Sequence, residues 1–379
     1  MDIVRFNFPT QIRFGPGARN TLGKFAAAWQ VRHPLLVTDG GLLSTDAYRL
    51  AAEAMEREWP GRWSTFSGVH PNPLEADVEH ALAAYLEADC DGIVGLGGGS
   101  ALDVGKALRL LVAFPTTSLL DVQLDRLPPR LVPYCAIPTT AGTGSEVGRS
   151  AVVTSAKLGR KVVVGGHPLM PDLAILDPEL TVGLPSHLTA ATGMDAMTHA
   201  IESYVCPVFH PMCDAVALEA VRIIREYLPR AVTTGTDLEA RGWMLVAASM
   251  GAVAFQKDLG AAHSLAHPLS SEFGVHHGLA NAIVLPHVVH FNGEADTRQY
   301  ARVTEALGLA VSNDPAADVA NFLASFNQSL GIAARLRDVN VPEESLPMLA
   351  GKAILDVCHT SNPRACSEAD LLELYRRAW

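Results

Sequence analysis

Short apolar runs alternate with stretches of helical period as far as about residue 180, and then the pattern changes. Pro34–Asp39, Gly92–Gly97, Tyr134–Pro138 and Leu173–Asp177 are apolar runs that end in turn residues, and Asp46–Glu58 and Glu75–Ala88 between them carry helical spacing. Strand and helix in this alternation predict a parallel sheet covered on both faces. Arg5–Phe8 and Ile12–Phe14, broken by Pro9, predict a further hairpin at one edge. From Pro185 onward strand signals almost vanish. Helices are expected over Leu188–Tyr204, Met212–Tyr227, Leu238–Gln256, Leu279–His290, Thr297–Leu307, Ala316–Leu330 and Glu368–Ala378. Ser367 is the expected N-cap of the last, with Asp370 in its first turn, where an acid suits the helix dipole. Asp177-Pro178 and Leu184-Pro185 punctuate the change of texture. The expected organisation is an α/β domain over residues 1–180 and an all-helical domain over 181–379.

A length of 379 residues agrees with two domains, since one core rarely grows so large. Hydrophobic residues at 49% against 18% charged describe a globular chain with a large buried fraction. The net charge of −11 argues against nucleic acid and against anionic membrane surfaces as partners. The N-terminal segment has no basic stretch followed by an apolar run, so no signal peptide is expected. The longest apolar helix candidate, Trp243–Gln256, has 14 residues and suits a buried core better than a membrane span. Six cysteines without a CxxC pair read as reduced thiols, and the expected location is the cytoplasm.

Two sets of residues carry candidate chemistry. Asp195 and His199 stand four apart in Gly193-Met-Asp-Ala-Met-Thr-His-Ala-Ile-Glu202, so a carboxylate and an imidazole share one helix face. His263 and His277, in Gly-Ala-Ala-His-Ser-Leu-Ala-His-Pro and Phe-Gly-Val-His-His-Gly-Leu-Ala-Asn-Ala, supply a second pair. One oxygen and three nitrogens suit Fe(II) or Zn(II) and disfavour calcium or magnesium. A site without thiolate and with room for a substrate oxygen reads as catalytic. Spacing alone leaves the other reading open, a solvated pair and satisfied core histidines.

The second set reads as a nucleotide site. Gly97-Gly98-Gly99-Ser100, in the run Gly95–Lys106 that includes Asp103, follows a strand and opens a helix. Such a turn lets backbone N–H groups and a helix N-terminus meet a pyrophosphate, although the spacing departs from the common dinucleotide fingerprint. A tight strand-to-helix turn is the plain alternative. Asp39, ending the strand Leu35–Thr38, can accept from an adenosine ribose and repel a 2′-phosphate, which favours NAD while leaving NADP possible. Otherwise it is a turn aspartate before Gly40-Gly41. Thr139, Thr140 and Ser145 lie in a hydroxyl-rich loop suited to line a cofactor, and Lys161 is a candidate partner for phosphate.

Together these segments resemble the iron-containing (group III) alcohol dehydrogenase family. The ordered motifs are Phe-Gly-Pro-Gly at 14–17, Gly-Gly-Gly-Ser at 97–100, Pro-Thr-Thr-Ala-Gly-Thr-Gly-Ser-Glu-Val at 138–147 and Leu-Asp-Pro-Glu-Leu at 176–180. Ala-Thr-Gly-Met-Asp-Ala-Met-Thr-His-Ala-Ile-Glu at 191–202, His-Ser-Leu-Ala-His-Pro-Leu at 263–269 and His-His-Gly-Leu-Ala-Asn-Ala-Ile-Val-Leu-Pro at 276–286 complete them. The resemblance implies a dehydroquinate synthase-like architecture: a Rossmann-like domain, an all-α domain, and a cleft between them for metal and nicotinamide. It implies Asp195, His199, His263 and His277 as metal ligands. It puts Gly97, Gly98 and Ser100 at the pyrophosphate, Asp39 at the ribose, and Thr139, Thr140 and Lys161 around the cofactor. Gly99, Asp103 and Ser145 are grouped with these. His267, a helical turn from His263, is implied near the metal as a proton carrier. His276-His277 stands where the family often has Pro-His, and Gly278 and Asn281 set the register in favour of His277. The implied activity is metal-assisted hydride transfer between a small primary alcohol, diol or hydroxy acid and NAD(P), in a homo-oligomer of two or more chains. A lyase like dehydroquinate synthase and a binding protein without turnover are the competing expectations.

Overall fold

Six strands lie in one sheet, and the four inner ones bury side chains on both of its faces. The six are β1 (Gln11–Phe14), β2 (Pro34–Asp39), β3 (Ser64–Val69), β4 (Gly92–Gly97), β5 (Tyr134–Pro138) and β8 (Leu173–Leu176). A computed structural model describes residues 10–293 and 297–379. Every pairing in the sheet is parallel, in the order β1-β8-β5-β4-β2-β3. Leu35, Val37, Ile93, Tyr134 and Ala136 share one core with helices α3 (Glu75–Glu87) and α4 (Gly99–Ala113). Leu36, Val94, Leu96, Cys135 and Ile137 form the opposite core with α1 (Leu22–Trp29) and α2 (Asp46–Glu58). Alternate residues of one strand thus serve two cores, the arrangement of a doubly covered parallel sheet.

The sequence pattern located β2, β4, β5, β8, α2 and α3 to within a residue or so. Ile12–Phe14, expected in an edge hairpin with Arg5–Phe8, belongs to β1, which runs parallel to β8; Arg5–Phe8 lie outside the described residues. Strand β3 and an antiparallel hairpin, β6 (Ser150–Ser155) with β7 (Arg160–Gly165), were not foreseen.

Two compact units emerge, residues 10–184 with 236–245, and residues 185–235 with 246–379. The second is built from α5 (Ser186–Val205), α6 (Pro211–Thr233), the later part of α7 (Leu238–Ala254), α8 (Ala261–Phe273), α9 (His277–Asn292), α10 (Thr297–Ala306), α11 (Pro315–Ser329), α12 (Leu346–Ala353) and α13 (Glu368–Ala378). Ser367 caps α13 as expected, in a reciprocal box with Asp370. Helix α8 starts after Gly260 and contains Pro268, which hid it from a periodicity reading. Residues Thr189–Ser203 of α5 are buried without interruption, so this helix is the core of its unit. No helix among the described residues is long and apolar enough to cross a membrane. All six cysteines are free, and burial pushes the Cys90 and Cys213 thiols up to about 11.

Candidate metal centre and nucleotide turn

Helices α5, α8 and α9 each deliver one donor to the same point. Asp195 on α5, His263 on α8 and His277 on α9 place ligand atoms within 4.8 Å of one another. Asp195 Oδ1 lies 3.5 Å from His277 Nε2 and 4.0 Å from His263 Nε2. The approach depends on Gly278: a Cβ there would stand 2.1 Å from the Ala191 carbonyl oxygen and 3.1 Å from Asp195 Cβ. Only glycine lets α9 begin so close to α5, and His277 is the residue beside it. His199, one turn after Asp195, stacks its ring on His263 with centroids 4.7 Å apart. It lies against the cluster, while the three converging donors come from Asp195, His263 and His277.

Two residues behind these donors, Glu202 and Asp356, escaped the sequence reading, and a third, Asn281, was read only as a mark of register. Glu202 accepts from His263 Nδ1 at 2.5 Å and from the Ala262 N–H at 2.6 Å. Asn281, one turn into α9 from His277, donates through Nδ2 to Asp195 Oδ1 at 2.8 Å and lies 3.3 Å from both His263 Nε2 and His277 Nε2. Asp356 pairs with His267 Nδ1 at 2.7 Å and accepts from Ser264 Oγ and the Cys358 N–H. Spacing offered one signal: Glu202 lies seven residues after Asp195 and three after His199, on the same helix face. Asp356 had none, because it sits in an irregular segment after α12. His267 stacks on His277 with centroids 5.2 Å apart.

The electrostatics follow from these contacts. Burial alone would lower the His263 pKa, but the Glu202 hydrogen bond and the charges of Glu202, Asp195 and Asp356 raise it above its ordinary value. Burial likewise opposes ionisation of Asp356, yet His267, the Cys358 N–H and Ser264 hold its carboxyl well below the usual range. A buried carboxylate facing imidazole nitrogens, with a carboxylate behind one ring, is the donor chemistry of a borderline first-row cation. The residues present fit such a cation, with His199 at hand to complete the set.

In the other unit, Asp39 and Gly97 end the neighbouring strands β2 and β4, from which the chain leaves in opposite directions along the sheet. Ligands of open α/β sheets bind at this kind of switch point. Gly97 has φ +149°, and a Cβ would meet Ala101 Cβ at 2.8 Å, so the turn into α4 requires glycine. Gly98 caps α4 with Gly99 as its first residue, which leaves the first helical N–H groups at the turn. Thr140 lies 3.4 Å from where a Gly98 Cβ would point, and the Thr139 N–H donates to the Gly97 carbonyl. Asp39 Oδ1 accepts from the Leu42 N–H, and its Oδ2 is 3.7 Å from the Gly97 Cβ position.

The remaining candidates are placed differently. The Ser100 hydroxyl donates to the Pro71 carbonyl at 2.6 Å. Asp103 accepts from Ser145 Oγ at 2.6 Å and from the Val152 N–H at 2.9 Å, and pairs with buried Lys106 at 3.0 Å. Asp103 and Ser145 thus brace α4 against β6 and the hydroxyl-rich loop. Lys161 stands on β7 opposite Thr154.

Both halves of the chain match one family: residues 9–178 fit the model of the iron-containing alcohol dehydrogenases, and residues 189–379 fit the C-terminal model of the same family. The chain belongs to the iron-containing alcohol dehydrogenase family. It is 38% identical to a 4-hydroxybutyrate dehydrogenase of Cupriavidus necator, over 97% of each chain. It is 37% identical to an NAD-dependent methanol dehydrogenase of Bacillus methanolicus, over 99% of this chain and 100% of that one. A crystal structure of a 1,3-propanediol oxidoreductase, 34% identical, superposes over 100% of both chains with a TM-score of 0.92. Family membership makes the chain an enzyme, a metal-dependent, NAD(P)-linked oxidoreductase acting between alcohols and carbonyl compounds. The lyase and the non-catalytic binding protein are not favoured.

Proposed function

We propose that Asp195, His199, His263 and His277 hold one divalent cation, Fe(II) first and Zn(II) second, and that the enzyme interconverts a small primary alcohol with its aldehyde using NAD. The convergence of Asp195 Oδ1 with two imidazole Nε2 atoms, inside 4.8 Å, carries this reading. 4-Hydroxybutyrate, methanol and 1,3-propanediol, named for the relatives, all have an alcohol carbon whose oxidation gives an aldehyde, which supports a primary alcohol, diol or hydroxy acid as substrate. The bound cation supplies Lewis acidity toward the substrate oxygen. Gly97, Gly98 and the start of α4 are proposed to take the pyrophosphate, Asp39 the adenosine ribose, and Thr139 and Thr140 the wall beside them. Asp103 and Ser145 then keep that wall in place. Exposed Ile12 and Phe14 on edge strand β1 support a homo-oligomer, and six free thiols support a cytoplasmic location. A panel of straight-chain aldehydes and ketones with NADH and NADPH tests the substrate class: preference for a terminal aldehyde over a ketone of equal length is expected, and the opposite order overturns it.

Two residues carry separate expectations. Asp39→Asn removes the charge that repels a 2′-phosphate, so the ratio of kcat/KM for NADP to that for NAD rises by about tenfold or more, about 1.4 kcal/mol of discrimination. An unchanged ratio removes Asp39 from the ribose. The Nδ1 proton of His267 is turned to Asp356, so its Nε2 is the nitrogen available to take and pass on the alcohol proton. His267→Ala is expected to lower kcat by roughly one to two orders of magnitude and to flatten one limb of the pH–rate profile. An unaltered rate and profile disposes of the relay.

A further inference from the structure

The histidine of α8 that faces Asp195 has its other nitrogen engaged by a carboxylate from α5. Glu202 is only 3% exposed, and its two oxygens are committed to different groups: Oε2 to His263 Nδ1 and Oε1 to the Ala262 N–H. Those oxygens sit at the N-terminus of α8, a helix of 13 residues, where unsatisfied N–H groups and the helix dipole favour a negative charge. An ionised carboxylate can only accept. The His263 nitrogen facing it therefore carries the proton, and the lone pair of the neutral ring lies on Nε2, the atom 4.0 Å from Asp195 Oδ1.

We infer that Glu202 is a positioning residue of the metal centre: it fixes the tautomer and the ring direction of His263 so that Nε2 meets the cation. The inference rests on the metal-centre reading above. Helix α5 then contributes twice, with Asp195 as a direct donor and Glu202 as the brace behind a donor on another helix. The Ala262 contact fixes where α8 begins relative to α5, and hence the distance of His263 from Asp195. A second residue closes this brace: a Cβ on Gly260 would stand 2.8 Å from Glu202 Oε1 and 3.0 Å from Asn362 Oδ1, so any larger side chain would displace the carboxylate. Gly260 is extended, with φ −146°, so alanine there adds no backbone strain and acts through its contacts with Glu202 and Asn362.

The test uses chelator-stripped full-length protein titrated with Co(II) against a competing chelator, followed by proton NMR of the Co(II) form. Wild type is expected to show a paramagnetically shifted, slowly exchanging imidazole N–H from His263 Nδ1. In Glu202→Gln, affinity for Co(II) falls by roughly ten- to a hundredfold, the cost usual for losing a partner behind a metal-bound histidine. The same resonance moves or exchanges with solvent. Gly260→Ala moves that resonance in the same direction with a smaller loss of affinity. A residue that merely capped α8 would lower the melting temperature and leave the Co(II)-form resonance in place. Wild type whose His263 lacks the protected Nδ1 proton overturns the inference without any variant. Glu202→Gln with wild-type affinity and spectrum overturns the inference alone. Wild type that binds no Co(II) overturns it together with the metal centre.

Discussion

Asp195→Ala is expected to bind no stoichiometric Fe(II) or Zn(II) and to lose about a thousandfold or more in kcat/KM. Asp195 is the one carboxylate among the three converging donors, and the imidazole nitrogens of His277 and His263 lie 3.5 Å and 4.0 Å from it. Without it a divalent cation would face neutral rings only, in a buried place where charge is poorly compensated. Lewis-acid assistance is worth several kcal/mol, and each 1.36 kcal/mol is tenfold in rate, so a loss of about three orders of magnitude follows. The fold suffers less. Asn281 Nδ2 loses its 2.8 Å acceptor but keeps His263 Nε2 and His277 Nε2 at 3.3 Å, so the loss costs about 1 kcal/mol. Asp195→Asn keeps the shape and removes the charge, so it separates the two effects. Elemental analysis of the purified variants, read beside steady-state kinetics, checks both parts. Full metal content in Asp195→Ala would remove this residue from the ligand set.

Gly278→Ala is expected to destabilise the protein by about 3 kcal/mol and to weaken cation binding at the same time. The added methyl would lie 2.1 Å from a backbone oxygen, that of Ala191, inside the continuously buried stretch of α5. A flexible side chain could turn away; a helical carbonyl cannot. Helix α9 must therefore move outward, and overpacking of this kind costs about 1–3 kcal/mol and occasionally more. The movement starts beside His277 and acts against Asp195 Cβ, so the same shift spreads the donors. Gly183→Ala provides the control, since nothing lies within 4 Å of its Cβ position, and a change within about 0.5 kcal/mol is expected. Chemical denaturation of the metal-free variants gives the stability change, and a Co(II) titration gives the affinity. A Gly278→Ala protein as stable as wild type would mean that α5 and α9 do not approach as described.

Legibility in the sequence followed the range of each interaction. Strands β2, β4 and β5 are nearly pure apolar runs bounded by turn residues, because a strand covered on both faces needs no polar alternation. Strand β3, Ser64–Val69, sits at the sheet edge with serine, threonine and glycine, so nothing in its composition sets it apart. The hairpin β6–β7 was hidden because its turn, Ala156-Lys-Leu-Gly159, lies in a stretch read only for Lys161. Asp195 and His199 were visible through their helical spacing. The converse holds for partners distant in sequence: Glu202 meets His263 across 61 positions, and Asp356 meets His267 across 89. Asp103 was read as a cofactor neighbour from its place in the glycine run and Ser145 from the hydroxyl-rich loop, and the structure joins the two to each other. Their hydrogen bond across 42 positions is a property of the folded chain alone.

Removal and return of the cation is the most direct measurement of the central claim. Protein stripped by chelator, dialysed, and mixed with NADH and a short terminal aldehyde should oxidise no NADH. Addition of Fe(II) or Zn(II) should restore turnover with a break near one cation per chain, and the same addition to Asp195→Ala should restore none. Stripped protein that turns over at the rate of the untreated enzyme, with metal shown absent by elemental analysis, would contradict the account.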